Sequence, residues 1–328
     1  MLPAIEEELQ QAVMRADGPG LEGLRAMLFY HMGWEGEGAG KHARGKRIRP
    51  LLVLLTAAAA GVNWRCALPA AAAAELVHNF SLIHDDIEDN SPLRRSRPTV
   101  WYKWGIPQAI NTGDAMFTLA HLALLRLEES ASPVTALQAA GILQQTCLHL
   151  TQGQYLDIAY EARGDLNLDA YWLMVRGKTA ALLSACTELG ALVAGVSDEQ
   201  RMAYADFGRS LGLAFQALDD LLGIWGDSNL TGKSAESDLL AGKKSLPVLY
   251  GLSKEGPFAS RWEQGAFTSE EVPALADLLE QEGARTYTQE AAARHTQEAI
   301  HSLNKAQPRG EAGEGIRALA DKLLKRTV

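Results

Sequence analysis

Apolar residues recur at helical spacing along almost all of this 328-residue chain, and the alternating pattern of strands is scarce. The pattern predicts helices over residues 3–15, 21–32, 47–60, 69–89, 107–128, 132–160, 168–194, 198–224, 245–253, 269–282, 284–306 and 311–326. Two polar segments without this pattern, 90–106 and 226–244, separate helices. No shift in composition marks a boundary. We therefore expect an all-α bundle of roughly ten or more helices that forms a single domain over residues 1–328.

The apolar segment at 69–89 ends in an acidic stretch, Asp85-Asp86-Ile87-Glu88-Asp89. In a helix, Asp85 and Asp89 lie one turn apart on the same face, where two carboxylates can share a divalent cation. A second carboxylate pair, Asp219-Asp220, ends another apolar helical segment. Acidic helix surfaces are common, so either motif alone is a weak indication of metal. Their repetition favours a site in which both motifs hold Mg²⁺ against a diphosphate.

The net charge and the distribution of basic residues indicate which class of ligand the protein binds. The net charge is -9, and the basic residues are concentrated in short clusters at 41–49, 94–97 and 243–244. Nucleic-acid binding usually needs a broad basic surface, so these clusters favour a small anionic ligand over nucleic acid. The alternative is that these basic clusters are solvated loop residues that bind no ligand.

The cysteines, the N-terminus and the apolar runs indicate the cellular compartment of the protein. Cys66, Cys147 and Cys186 are far apart and odd in number, which is typical of a reducing environment. The N-terminus lacks the basic segment and long apolar core of a signal peptide. The longest apolar runs, 51–62 and 67–77, are shorter than the roughly 20 residues of a membrane helix. We therefore expect a soluble, cytoplasmic protein without a transmembrane segment.

A series of short motifs follows the chain in order. It consists of Gly45-Lys46-Arg47-Ile48-Arg49-Pro50, the acidic stretch 85–89, Leu93-Arg94-Arg95, Gly177-Lys178-Thr179, Gln216-x-x-Asp219-Asp220, Thr231-Gly232-Lys233 with Asp238, and Lys243-Lys244. Over about residues 40–250 this series resembles the trans-isoprenyl diphosphate synthases, also called polyprenyl synthetases. The resemblance implies an isoprenoid synthase fold with a deep central cavity. It also implies a prenyltransferase that joins isopentenyl diphosphate to an allylic diphosphate.

The same resemblance implies roles for individual residues. Asp85 and Asp89 would hold Mg²⁺ from one side and Asp219 from the other, with Asp86 and Asp220 in support. Arg94, Lys178, Lys233 and Lys243 would bind the allylic diphosphate, while Lys46, Arg49, His78 and Arg95 would bind the diphosphate of isopentenyl diphosphate. Lys178, Thr179 and Gln216 would act at the breaking bond. Taken singly, His78 is more often a core histidine and Gln216 a packing residue, but their places in the series favour these roles.

The implied reaction begins with loss of the allylic diphosphate, which metal ions and fixed cations stabilise. An apolar pocket shields the allylic cation from water. The double bond of isopentenyl diphosphate then attacks, and loss of a proton to the released diphosphate gives a longer all-trans product. The resemblance implies three Mg²⁺ per active site, with Mn²⁺ as a substitute, and a homodimer. The expected primers are dimethylallyl, geranyl and farnesyl diphosphate.

Product length is expected to depend on Phe80, with the small residue Ser81 beside it. Phe80 lies five residues before Asp85, about 7.5 Å along the helix axis, where its ring would form a floor under the growing chain. This arrangement resembles enzymes that make geranylgeranyl diphosphate (C20). Farnesyl diphosphate or a longer polyprenyl diphosphate is the alternative product, and ordinary core packing is the alternative role of Phe80. The facing segment Met116-Phe117 is a candidate second layer.

Two positions depart from the family pattern. Gly223 stands where the second acidic motif commonly has a third aspartate, and Ser96 stands where a glycine often follows the arginine pair. Gly223 weakens the expected metal binding and leaves a noncatalytic partner subunit as an alternative function. A class I terpene cyclase is a further alternative, but it needs one diphosphate site, whereas Lys46, Arg49 and Arg95 indicate two substrates.

Overall fold

The computed structural model describes residues 1–226 and 237–324. Its backbone contacts divide the chain into two compact units. Unit 1 comprises residues 1–145, 185–201 and 308–314, and unit 2 comprises 146–184 together with the described residues of 202–307 and 315–328. The expectation of a single domain over residues 1–328 stays a prediction.

Unit 1 is built around one long helix, α5. Its elements are α1 (Leu2–Met14), α2 (Glu22–His31), α3 (Lys41–Arg44), α4 (Ile48–Ala59), a 3₁₀ turn (Trp64–Ala67), α5 (Leu68–Glu88), β1 (Leu93–Arg94), β2 (Arg97–Pro98), α6 (Val100–Trp104), α7 (Ile106–Leu125) and a 3₁₀ turn (Arg126–Glu129). The helices α1, α4 and α7 all contact α5. Its residues 70–74 are five buried alanines, whose small side chains let the neighbouring helices approach closely. This packing fixes the helix that ends in the first acidic motif.

Unit 2 contains the second acidic motif. The helices α8 (Pro133–Glu161), α10 (Ala181–Val193), α11 (Asp198–Trp225) and α17 (Gly310–Leu324) each have residues in both units. The other elements of unit 2 are α9 (Leu168–Val175), a π-helical turn (Arg176–Ala180), α12 (Ser237–Leu240), α13 (Leu246–Leu252), α14 (Pro257–Trp262), α15 (Val272–Gln281) and α16 (Ala284–Ala306). Buried residues of α9, α11, α13 and α16 form one apolar cluster that includes Tyr171 and Ala217. This cluster holds α11, and with it Asp219 and Asp220, against α9 and α13.

The all-α prediction is confirmed, and the hairpin β1–β2 is the only sheet in the described residues. Several local features were not predicted, among them the short helices α3 and α12. The polar segment at 90–106 contains this hairpin and α6, the predicted helix over 168–194 is interrupted by the π-helical turn, and α14 lies in a segment without a predicted helix. These elements are short, and tertiary contacts rather than a long apolar pattern determine such elements.

One helix is longer than the apolar runs of the sequence indicated. The 3₁₀ turn and α5 together form a helix, Trp64–Glu88, that is long and apolar enough to cross a membrane. Of this helix, only the apolar run at 67–77 was counted in the sequence, whereas the helix begins before this run and continues to Glu88. However, 72% of its most apolar 18-residue stretch is buried inside the protein, as is usual for a core helix.

Candidate active site

The first acidic motif separates into exposed and buried carboxylates at the C-terminal end of α5. Asp89 is exposed and Asp85 is partly buried, whereas only 2% of Asp86 is exposed. Arg94 Nε donates a hydrogen bond of 2.8 Å to Asp86 Oδ1. Burial raises the pKa of Asp86 to about 6, although Arg94 acts in the opposite direction. Asp86 therefore fits the supporting role predicted for it, and Asp85 and Asp89 are more accessible to a cation.

The hairpin after this motif directs Arg95 towards the loop before α4. Arg95 and Ser96 form a two-residue turn between the paired residues Arg94 and Arg97, with φ angles of 52° and 61°. Positive φ at both positions defines a turn of type I′, in which glycine is favoured. The Arg95 guanidinium donates a 2.7 Å hydrogen bond to the Ala43 carbonyl oxygen. Ser96, which departs from the family pattern, thus occupies a turn position where glycine is favoured.

Gly45 is required beside Arg95 for two reasons. Its φ is +76°, which a residue with a side chain rarely adopts. A Cβ atom at Gly45 would also lie 2.7 Å from an Arg95 guanidinium nitrogen. Gly45, which begins the Gly45 to Pro50 motif, therefore leaves room for Arg95, a residue that is predicted to bind substrate.

Basic groups gather around His78 on α5. Burial lowers the pKa of His78 well below its usual value, and the nearby charges of Arg49, Arg95, Arg94 and His31 lower it further. Burial also lowers the pKa of Arg49, whose Nε is buried and has no hydrogen-bond partner within the described residues. Partly buried guanidinium groups and a buried donor without a protein partner favour an anion. Three of the four residues predicted to bind isopentenyl diphosphate thus lie together.

Two residues complete the description of this predicted binding set. Lys46, its fourth member, is exposed in the loop before α4. His31 was not predicted as a member. Burial, followed by the charges of Arg94, Arg95 and Arg47, lowers its pKa to about 3. Its position at the end of α2 gave no sequence signal for this placement.

Arg47 lies in the same motif as Arg49 but has protein partners. Its Nε donates to Glu6 at 2.7 Å and a terminal nitrogen donates to Glu75 at 2.9 Å. Burial alone would lower the pKa of Arg47, but Glu75 and Glu6 outweigh this effect and raise it. Asn79 also donates to Glu75, at 3.1 Å. Arg47 therefore joins α1, α4 and α5, and Arg49 remains for a ligand.

Arg97 is a second arginine with a structural task. Its three guanidinium nitrogens donate to the carbonyl oxygens of Glu37, Tyr30 and Glu35 at 2.8–2.9 Å. The guanidinium also lies over the Tyr30 ring, 4.0 Å from its centroid. Arg97 thereby fixes the glycine-rich loop between α2 and α3, which the sequence alone did not reveal.

The second acidic motif repeats the division between exposed and buried carboxylates. Asp219 is exposed, and only 1% of Asp220 is exposed. Asp220 accepts hydrogen bonds from the Tyr171 hydroxyl at 2.6 Å, the Gln216 amide at 2.9 Å and the Leu246 backbone N–H at 2.9 Å. Burial raises the pKa of Asp220, and these donors together with Lys243 act in the opposite direction. Both oxygens of Asp220 are thus engaged by the protein, which fits a supporting role.

Thr179 and Gln216 are joined directly. The Thr179 hydroxyl donates to Gln216 Oε1 at 2.8 Å, and Gln216 Nε2 donates to Asp220. Because its oxygen accepts and its nitrogen donates, the orientation of the Gln216 amide is defined. Two of the three residues predicted to act at the breaking bond therefore form one hydrogen-bonded chain with the second motif.

The third, Lys178, lies in the π-helical turn and pairs with Asp157 of α8. Close backbone approach holds this turn in place, because a Cβ atom at Gly153 would lie 2.1 Å from the Lys178 backbone nitrogen. A Cβ at Gly177 would lie 2.6 Å from the His149 carbonyl oxygen. Irregular π turns inside helices often occur at functional sites. Asp157 was not predicted, since a single carboxylate on a long helix gives no distinctive pattern.

The neighbouring lysines of the last motif have different partners. Lys243 Nζ lies 3.4 Å from Asp238 and 4.0 Å from Asp220. Burial alone would lower the pKa of Lys243, but Asp220, Asp238, Asp219 and Asp157 outweigh this effect and raise it.

Lys244 Nζ instead donates to the carbonyl oxygens of Tyr160, Glu161 and Arg163 at the end of α8. Cations are favoured at this end of a helix. Lys244 therefore has a structural task, whereas Lys243 faces the carboxylates. Lys233, predicted to bind the allylic diphosphate, lies outside the described residues.

Phe80 packs in a row of rings between α5 and α7. Its ring centroid lies 5.0 Å from that of Phe117 and 5.6 Å from that of His84, both with edge-to-face geometry. Phe117 in turn contacts His121, at 4.5 Å between centroids. Ser81 Oγ donates to the His78 carbonyl oxygen at 2.9 Å. The structure thus identifies Phe117 as the residue that faces Phe80.

The chemistry of the donors fits Mg²⁺. Within residues 1–226 and 237–324, no three Asp, Glu, His or Cys side chains are gathered as a complete ligand set. Magnesium needs only one or two carboxylates per ion and takes its remaining ligands from water and phosphate oxygens. Asp85, Asp89 and Asp219 are more accessible than the buried Asp86 and Asp220 and are donors of this kind. Their role as ligands stays a prediction.

Comparison with known proteins identifies the class. The family model described as polyprenyl synthetase matches residues 40–274, so the chain belongs to the polyprenyl synthetase family and is a prenyltransferase. A (2E,6E)-farnesyl diphosphate synthase of Mycobacterium tuberculosis is 43% identical over 288 residues, which cover 84% of this chain and 79% of that protein. A geranylgeranyl diphosphate synthase of the same organism is 40% identical, with 86% and 82% covered. The crystal structure of a polyprenyl synthetase from Streptomyces coelicolor is 37% identical, with a TM-score of 0.88 and 98% and 97% covered.

Proposed function

We propose that this protein catalyses the Mg²⁺-dependent head-to-tail (1′-4) condensation of isopentenyl diphosphate with an allylic diphosphate, giving a short-chain all-trans prenyl diphosphate. The observation that carries this proposal is the group of basic residues around His78. Arg49 and Arg95 of this group are additional to Arg94, which pairs with the first acidic motif. A second anionic substrate would compensate them, and a cyclase with one diphosphate has no need of such a group.

The contacts of the described residues support separate binding groups for the two diphosphates. Arg94, Lys178 and Lys243 lie beside carboxylates and are proposed to hold the allylic diphosphate, together with Lys233. Arg49, His78 and Arg95, with Lys46, are proposed to hold isopentenyl diphosphate. When bound by Asp85, Asp89 and Asp219, Mg²⁺ supplies Lewis acidity for departure of the diphosphate. Three ions per active site, or Mn²⁺ in their place, remain part of this proposal.

Thr179 and Gln216 are proposed to act at the reacting carbon. Because Gln216 donates to Asp220, its Oε1 is held toward Thr179, and the two side chains present oxygen dipoles in a fixed orientation. Oriented dipoles stabilise positive charge without reorganising during the reaction. The proton lost after bond formation passes to the released diphosphate.

The proposed product is geranylgeranyl diphosphate. Phe80, on the helix that carries the first acidic motif, packs its ring against that of Phe117, and Ser81 is the small residue next to Phe80. The similar proteins include both a farnesyl and a geranylgeranyl diphosphate synthase, so farnesyl diphosphate is the second candidate product.

The proposal includes a cytoplasmic homodimer. Three large apolar side chains on one face of α8, Leu137, Leu148 and Tyr155, are 75%, 51% and 70% exposed. Residues 11 and 7 positions apart fall near the same side of a helix. Exposed apolar surface of this kind is typical of an interface with another chain.

Purified full-length protein supplied with Mg²⁺, labelled isopentenyl diphosphate and each allylic primer in turn tests the proposed reaction. We expect a single C20 all-trans diphosphate from dimethylallyl, geranyl or farnesyl diphosphate. The variant Asp85→Ala is expected to abolish turnover with its helix content unchanged, and Asp277→Ala, an exposed carboxylate on α15, is the control. A cyclic hydrocarbon would instead identify a cyclase, and the absence of turnover would identify a noncatalytic partner subunit. Turnover by Asp85→Ala at the wild-type rate would contradict the metal role.

A further inference from the structure

The glycine that replaces an aspartate in the second motif lies against another carboxylate. A Cβ atom at Gly223 would lie 2.2 Å from Oδ2 of Asp238 and 2.7 Å from its Cγ. Both distances are far below van der Waals contact, so Asp238 already occupies the space of a side chain at residue 223. Gly223 is not among the glycines with positive φ, and glycine is a poor helix former. Space for Asp238, rather than backbone conformation, therefore explains this glycine.

We propose that Asp238, from α12, supplies the third carboxylate that the second acidic motif lacks at residue 223. Residue 223 is one turn beyond Asp219 on α11, so a side chain there would share the face of Asp219. The Asp238 carboxylate takes that place from a different helix. The inference rests on the proposed function, since it concerns the same Mg²⁺ site.

The surrounding charges agree with a cation-binding task for Asp238. Its Oδ2 lies 3.4 Å from Lys243 Nζ, and the same ammonium group lies 4.0 Å from Asp220 Oδ1. Asp219 and Asp157 also act on Lys243, and Asp157 pairs with Lys178. Within the described residues, four carboxylates thus lie around two ammonium groups, an arrangement that suits a divalent cation. Mg²⁺ retains water ligands, and carboxylates beside a metal site accept hydrogen bonds from such waters.

A carboxylate exchange tests the inference in the full-length protein. Calorimetric titration of Mg²⁺ in the presence of inorganic diphosphate measures metal affinity without turnover. We expect Asp238→Asn to weaken Mg²⁺ binding by about tenfold or more, with little change in melting temperature. Asp238→Ala should weaken it as well, and the double variant Gly223→Asp with Asp238→Ala should recover most of the lost affinity. Gly223→Ala adds a Cβ without a carboxylate and should displace Asp238, so it should lower Mg²⁺ affinity.

Two results would overturn the inference. One is Mg²⁺ affinity of Asp238→Asn equal to that of the wild type, and the other is a double variant that binds no better than Asp238→Ala. Wild-type condensation activity is measured in parallel. If the wild type condenses its substrates but either of these two Mg²⁺-binding results is obtained, this inference alone is contradicted. A protein that passes the exchange without condensing its substrates contradicts the proposed function alone, and one that does neither contradicts both.

Discussion

Basic residues that are close in the sequence have different partners in this protein. Arg47 is held between Glu6 and Glu75, whereas Arg49, two residues later, has a buried Nε without a partner in the described part of the chain. Lys243 faces carboxylates, whereas Lys244 binds carbonyl oxygens at the end of α8. Arg47 therefore stabilises the fold and Arg49 suits an anionic substrate, whereas Lys243 lies among the carboxylates of the second acidic motif and Lys244 does not.

This contrast predicts opposite effects of two arginine substitutions. Arg47→Met leaves Glu75 buried without its cation and should cost about 3–5 kcal/mol of folding stability. Arg49→Met should leave the free energy of unfolding close to that of the wild type and raise KM for isopentenyl diphosphate by about tenfold or more. Urea denaturation and steady-state kinetics measure the two effects. Equal loss of stability in both variants would contradict the assignment.

His31 predicts a pH dependence of stability. Burial and the charges of Arg94, Arg95 and Arg47 lower its pKa in the folded protein to about 3, and an unfolded histidine titrates near pH 6.5. Between these values the unfolded chain binds a proton that the folded protein does not bind, so stability falls as the pH falls. His31→Gln should reduce this slope by at most about 1.4 kcal/mol per pH unit.

Urea midpoints between pH 7 and pH 4.5 measure the slope. His301→Gln, at an exposed histidine of α16, controls for removal of an imidazole. Identical slopes for wild type and His31→Gln would show that His31 is not the group responsible.

At the scale of elements, glycines determine how closely the backbone around Lys178 approaches α8. Gly153 and Gly177 bring the π-helical turn within contact of α8, and Gly212 brings α11 to the same turn, with a Cβ there 2.6 Å from Ala180 Cα. The turn positions Lys178 and Thr179 from a backbone that cannot move without displacing a neighbour.

Substitution of Gly153 should therefore affect both stability and activity. Gly153→Ala places a Cβ 2.1 Å from the Lys178 backbone nitrogen and should cost about 1–3 kcal/mol or more, with a lower kcat. Gly141→Ala on the same helix is the matched control, because a Cβ there meets no atom within 4 Å. It should stabilise the protein by up to about 1 kcal/mol. Gly153→Ala with wild-type stability and kcat would contradict the importance of this approach.

The contact between α5 and α7 predicts the length of the product. If the rings of Phe80 and Phe117 form the floor, Phe80→Ala and Phe117→Ala should each yield products longer than those of the wild type, as measured by chromatography. Phe258→Ala, within the apolar core of unit 2, should lower stability and leave the product unchanged. Unchanged chain length in both ring variants would leave Phe80 with a packing role alone.

At the scale of the whole molecule, the exposed face of α8 predicts self-association. The double variant Leu137→Glu with Leu148→Glu should sediment as a monomer, whereas the wild type should sediment as a dimer. Leu173→Glu on α9 is the control, since Leu173 is 57% exposed and lies outside that face. A monomeric wild type, or a dimeric double variant, would exclude this face as the interface.

Much of the fold and part of the site were predictable from sequence. The helical period, the alanine-rich segment at 69–89 and the ordered motifs indicated the all-α class and the family, because these signals are local. Short elements such as β1, β2 and α6 escaped prediction because their contacts come from other segments. Asp157 and His31 escaped as well, since each is a single residue without a distinctive spacing.

The sequence by itself determined the helical class, the family and the two acidic motifs, since helical spacing and motif order are properties of the chain alone. It also showed that Gly223 departs from the family pattern. Only the tertiary structure decided which arginine is held by Glu75 and which lysine faces the carboxylates. It also decided that the space beside Gly223 belongs to Asp238. These outcomes depend on contacts between separate elements of the fold, which no local pattern contains.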